Sequence, residues 1–159
     1  MNNTIYINDR FIPENEASIS PLDTGFLFGE GLFETIRSYH GQPFQLENHL
    51  ARLRLGLQTL ALPEPRNLKQ SHTIIAELLT ANQLTKKPGT IKIIVSRGTA
   101  KLHNTDKILP PTLLIRATEL DLESIKQRQQ GMRALILPWR RDRQNPLLKV
   151  KSLNYLENR

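Results

Sequence analysis

Lys151 is a candidate nucleophile: it follows a predicted apolar strand, Leu147-Leu148-Lys149-Val150, and precedes Ser152-Leu153-Asn154-Tyr155. A lysine amine attacks carbonyl carbon only as the free base, which burial or nearby cations favour. Arg140, Arg141, Arg143 and Lys149 lie close by in sequence. His49 and Arg52 are three apart in a helical stretch and so share a face. The Arg52 guanidinium offers a planar fork of donors to a phosphate or carboxylate. In Phe28-Gly29-Glu30-Gly31-Leu32-Phe33, glycines sit between aromatics, where backbone can approach something flat. Each stretch alone also fits an ordinary role: a surface lysine, a solvated helical arginine, a hairpin with a glycine turn.

Other chemistries find no support. The four histidines, His40, His49, His72 and His103, form no HExxH or HxH pattern, so no metal site is expected. With no cysteine, the chain has neither a thiolate ligand nor a thiol nucleophile. There is no P-loop, no GxSxG and no dinucleotide fingerprint. Glu30 and Glu34 lie four apart and prove nothing by themselves.

The elements that must position these residues read as follows. Thr4–Pro13 predicts two short strands around a turn at Asn8-Asp9. Residues 17–23 read as a loop and 25–31 as a mobile or tightly turned glycine-rich stretch. Leu32–Tyr39 predicts a strand, His40-Gly41 a turn and Pro43–Leu46 a return strand. Leu46, Leu50, Leu53, Leu57 and Leu60 recur at spacings of 4, 3, 4 and 3, an amphipathic helix that Pro63 and Pro65 end. A second helix is predicted from about Leu68 to about Ala81, with Ile75, Leu78 and Leu79 inward. Thr90–Ser96 and Thr112–Thr118 predict strands, joined by a polar loop carrying His103. Asp121–Gln130 reads as helical or linker-like, Arg133–Leu137 as a strand, Gln144-Asn145-Pro146 as a turn, and Ser152 as an N-cap. Strands, then helices, then strands make an α+β class, with a boundary near residue 120.

The formal net charge is +7. Residues 121–159 carry 9 Lys/Arg against 4 Asp/Glu, and residues 1–120 carry 13 against 11. The excess therefore sits near the proposed lysine, where it could surround an anionic cofactor or substrate, or attract nucleic acid. A non-catalytic basic domain binding nucleic acid is the alternative from another class. No nucleic-acid fold signature accompanies it, and an aromatic share of 6% is thin for base stacking. No apolar run approaches the length of a membrane span, and the first residues lack the pattern of a secretion signal. A soluble, cytoplasmic chain is expected, with no membrane partner and no nucleic acid.

Taken in order, DTGFLFGEGLFETIRSYHGQPF (23–44), HLARL (49–53), IKIIVSRG (91–98) and NPLLKVKSLNYLEN (145–158) resemble the fold-type IV pyridoxal 5'-phosphate (PLP) enzymes. These are the class IV aminotransferases: branched-chain and D-amino-acid aminotransferases, with the 4-amino-4-deoxychorismate lyases. The resemblance implies an N-terminal α/β domain over residues 1–120, and a linker with the beginning of a PLP-binding C-terminal domain over 121–159. It implies that Lys151 holds PLP covalently and moves the substrate proton, that Arg52 contacts the PLP phosphate, and that His49 is structural support. It further implies that Phe28 and Phe33 line the substrate pocket and that Arg97, in Ser96-Arg97-Gly98, binds a substrate carboxylate. The family's second half supplies an acidic partner for the pyridine nitrogen and the rest of the phosphate cup. The chain is therefore expected to be a fragment, a poor catalyst alone and a homodimer when complete. The expected reaction is amino-group transfer between an amino acid and a 2-oxo acid. The alternative is lysis of aminodeoxychorismate to 4-aminobenzoate and pyruvate.

Overall fold

Alternation along one strand sets the layering. In β3 (Gly31–Tyr39), Leu32, Glu34, Ile36 and Ser38 are buried, while Thr35, Arg37 and Tyr39 are exposed. A strand turns successive side chains to opposite faces, so one face of the sheet is covered and the other is open. The computed structural model describes residues 3–99, 110–136, 138 and 140–156. Its sheet has six strands in the order β2-β1-β6-β5-β3-β4. Besides β3 these are β1 (Thr4–Ile7), β2 (Arg10–Pro13), β4 (Gln42–Pro43), β5 (Gly89–Ser96) and β6 (Thr112–Glu119). Every pairing is antiparallel. With helices on one side, this is the expected α+β class.

The covering layer is α2 (Leu46–Thr59) and α3 (Ser71–Ala81). α2 packs on β3, and α3 packs on β1 and β6. Leu46, Leu50, Leu53 and Leu57 of α2 are buried, as the leucine spacing predicts. Each contributes about 2 kcal/mol by leaving water. Gly56 lets α2 sit close to the strand, since a Cβ there would meet Leu32 Cδ1 at 2.8 Å. Ile74, Ile75, Leu78 and Leu79 do the same for α3.

Several elements differ from the sequence reading. The glycine-rich stretch is not loose: it contains a short helix, α1 (Thr24–Phe28), which Gly29 ends in the left-handed region at φ 70°. The return strand reduces to Gln42–Pro43, because Leu46 already opens α2. The second helix is two pieces, a 3₁₀ turn over Arg66–Gln70 and then α3. Residues 133–136 form no strand: Leu135 and Ile136 are 83% and 97% exposed, and none of the described residues pairs with them; Leu137, the end of the predicted strand, lies outside the described residues. Leu147 and Leu148 lie in a 3₁₀ turn (Pro146–Lys149) instead of a strand. Ser152 caps no helix; it bridges to Leu32. Residues 122–129 are helical, α4 (Leu122–Gln129), with Asp121 accepting from Ser124 N at 2.9 Å. His103 lies outside the described residues. Among those described, no helix is long and apolar enough to cross a membrane.

Candidate functional site

The site forms where the open edge of β3 receives the chain around Lys151. β4 pairs only with Ser38 and Tyr39, so the beginning of β3 is free on that side. Residues 151–153 dock there: Phe33 N donates to Lys151 O at 3.0 Å, and Leu153 N donates to Gly31 O at 2.8 Å. Gly31 is required by close approach, since a Cβ would run into Val95 O and lie 2.5 Å from Leu153 Cδ1. Asp23 anchors α1 in front of this edge. Its buried carboxylate accepts from Gly25 N, Ser96 Oγ and Thr112 Oγ1 at 2.7–2.8 Å.

Lys151 is half-buried, with Nζ 4.3 Å from the centre of the Phe33 ring. Tyr155 meets the same ring edge-to-face at 5.4 Å, and its own ring lies 5.9 Å from Lys151 Nζ. A cation over such a face gains about 0.5–2 kcal/mol. Phe33, expected to line a substrate pocket, is thus placed directly beneath the lysine amine.

Arg52 rises from α2 toward the same edge. Its Nε and Nη2 each donate to Glu34, at 2.6 Å to Oε1 and 2.6 Å to Oε2. His49 Nδ1 lies 2.8 Å from Glu34 Oε2. Glu34 is 1% exposed while the Arg52 side chain is 55% exposed, so the carboxylate anchors the guanidinium from below and leaves its outer edge open. Burial works to raise the Glu34 carboxyl. Hydrogen bonds from Arg52 and His49 outweigh it and hold the group below its ordinary value. The same bond pushes Arg52 up. Glu34 was missed as a site residue, although it shares parity with Leu32 and Ile36 and so had to be inward. His49, expected as structural support, lies against the same carboxylate.

Arg52 and Lys151 line one cavity of about 350 Å³, with Arg141, Lys149, Asn154 and Tyr155 among its other walls. The cationic tail residues Arg141 and Lys149 thus face the same space as the lysine. Phe28 and Arg97 line an adjoining cavity of about 200 Å³, which shares Leu147, Ser152 and Asn154 with the first. Phe28 is 63% exposed. Arg97 is engaged within its own chain: Nε donates to Glu30 Oε2 at 3.1 Å, and Nη1 donates to Ala61 O at 3.2 Å. Among the described residues, no group of three or more His, Asp or Glu is placed to hold a metal ion.

The family model for amino-transferase class IV matches residues 31–159. The chain is 32% identical to an aminodeoxychorismate lyase of Bacillus subtilis, over 97% of this chain and 52% of that protein. It is 28% identical to a D-alanine aminotransferase of Staphylococcus epidermidis, over 97% of this chain and 53% of that one. The crystal structure of 4-amino-4-deoxychorismate lyase from Pseudomonas aeruginosa superimposes with a TM-score of 0.73 at 30% identity, covering 96% of this chain and 53% of that chain. The chain spans about half the length of the curated relatives it matches. It belongs to the class IV aminotransferase family.

Proposed function

We propose that the complete protein is a PLP-dependent aminotransferase, transferring an amino group between an amino acid and a 2-oxo acid, with Lys151 as its catalytic residue. One observation carries the reading: a primary amine and a guanidinium anchored from beneath line the same cavity. The donor set fits PLP. Lys151 Nζ can bond an aldehyde carbon, the free edge of Arg52 suits a phosphate, and Arg141 and Lys149 add positive charge for an anion. PLP supplies an electron sink for the bonds at the substrate Cα.

The chain's own residues do the rest. Arg52 fixes the phosphate end, and Glu34 fixes Arg52. Phe33 and Tyr155 hold the Lys151 amine at one place. As a free amine, Lys151 Nζ would take the proton from the substrate Cα and deliver it to the cofactor-side carbon C4′, so that the substrate leaves as a 2-oxo acid. Phe28 and Phe33 give the substrate side apolar walls. Residues 121–159 open the second domain, and the complete protein is a homodimer working on small molecules.

A second reading is a lyase that releases pyruvate and 4-aminobenzoate from aminodeoxychorismate. The likeness to two such lyases, at 32% and 30% identity over nearly the whole chain, favours it. Product analysis separates the two. The PLP-loaded, full-length protein is given L-leucine or D-alanine with 2-oxoglutarate, and separately aminodeoxychorismate. Glutamate from the first mixture supports the aminotransferase, and pyruvate with 4-aminobenzoate from the second supports the lyase. Neither product from a folded, PLP-loaded protein would reject both.

A further inference from the structure

We infer that Glu30 and Arg97 are a positioning pair that sets Lys151 and Arg52 in register; the inference rests on the cofactor reading above. Arg97 follows β5 and grips Glu30 twice. Its backbone N donates to Glu30 O at 3.1 Å, and its Nε donates to Glu30 Oε2 at 3.1 Å. The other guanidinium nitrogens reach Ala61 O at 3.2 Å and Leu60 O at 3.5 Å. Leu60 and Ala61 follow the last turn of α2, where unpaired carbonyls carry partial negative charge and attract a cation. One side chain therefore ties the end of the helix that carries Arg52 to the Gly29–Gly31 turn.

That turn is also the dock for Lys151. Gly29 packs on Asn154, and Gly31 O accepts from Leu153 N. Glu30 lies between the two glycines, so a shift of its peptide moves the strip on which residues 151–153 lie. All three guanidinium nitrogens have partners inside the chain, as a brace requires. Glu30 and Arg97 are each 42% exposed, so the pair is soft enough to tune and remove without collapsing the core.

The test is a comparison of unmutated protein with E30Q, R97M and R97K, each first checked for a cooperative melt. Backbone hydrogen exchange of peptides spanning 31–33 and 147–156 is read without PLP. The PLP dissociation constant is read by absorbance titration, and KM and kcat with L-leucine and D-alanine as donors. A half-exposed charged pair predicts exchange and PLP dissociation constant each raised about fivefold in E30Q. R97M should exceed that, with R97K between unmutated protein and R97M. Unchanged exchange in E30Q and R97M overturns the inference. So does unchanged PLP affinity with KM lowered in E30Q and raised in R97M, which would make Arg97 a carboxylate ligand that Glu30 masks. If unmutated protein takes up no PLP, the functional reading fails on its own, and the exchange data alone decide the brace.

Discussion

Replacing Glu34 by glutamine tests the buried anchor under Arg52. Both carboxylate oxygens are used: Oε1 takes Arg52 Nε, and Oε2 takes Arg52 Nη2 and faces His49 Nδ1, all within 2.8 Å. Glutamine keeps one acceptor and turns an amide NH₂ toward an Arg52 nitrogen that is itself a donor. A hydrogen bond to a charged group is worth about 1.5–3 kcal/mol, and a buried donor left without an acceptor costs more. Arg52 is 55% exposed, and water recovers part of its loss. The net expectation is about 2 kcal/mol, or a fall of roughly 6 °C in Tm.

The pH dependence follows from the lowered Glu34 carboxyl. A group whose folded pKa is depressed contributes fully above its unfolded value and loses that contribution as pH falls through the folded one. Unmutated protein and E34Q should therefore differ at neutral pH and converge in acid, below the ordinary carboxylate range. Urea melts across pH, with Arg52→Met in both backgrounds, give the assay. The Arg52 change should cost less in E34Q, with a coupling of about 1 kcal/mol. E34Q within about 0.5 kcal/mol of unmutated protein, with the same acid slope and no coupling, would refute the anchor.

Two other substitutions probe the dock. Gly31→Ala forces a Cβ against Val95 O and Leu153 Cδ1. Overpacking of this kind costs about 1–3 kcal/mol; the melt should fall, and limited proteolysis near residue 150 should quicken. Asp23→Asn takes the charge from all three bonds and turns one acceptor oxygen into an NH₂, so a loss of about 1–2 kcal/mol in a denaturant melt is expected.

How much of this was legible in the sequence depends on what each residue needed. The leucines of α2 declared a helix because their spacing matches one period and nothing else. Arg133–Leu137 has strand-like composition, yet residues 133–136 find no partner strand among the described residues, and composition does not say whether a partner exists. Ser152 has the chemistry of an N-cap, yet the open edge of β3 claims its backbone first. Lys151 and Arg52 were readable as candidates from motif and helical face. That they share a cavity was not, because residues 99 positions apart meet only through the sheet edge. Glu34 was hidden for a different reason. A lone carboxylate in a strand usually faces water, and only its parity with Leu32 and Ile36, set against His49 and Arg52 on the covering helix, marks it as inward.

The most direct test of the account is chemical. The full-length protein is incubated with PLP, reduced with borohydride and digested, and the modified peptide is mapped by mass spectrometry beside Lys151→Ala. The account predicts a pyridoxyl group on Lys151, none on Lys149, and none anywhere in the variant. A folded protein that takes the label on another lysine, or on none, would contradict it.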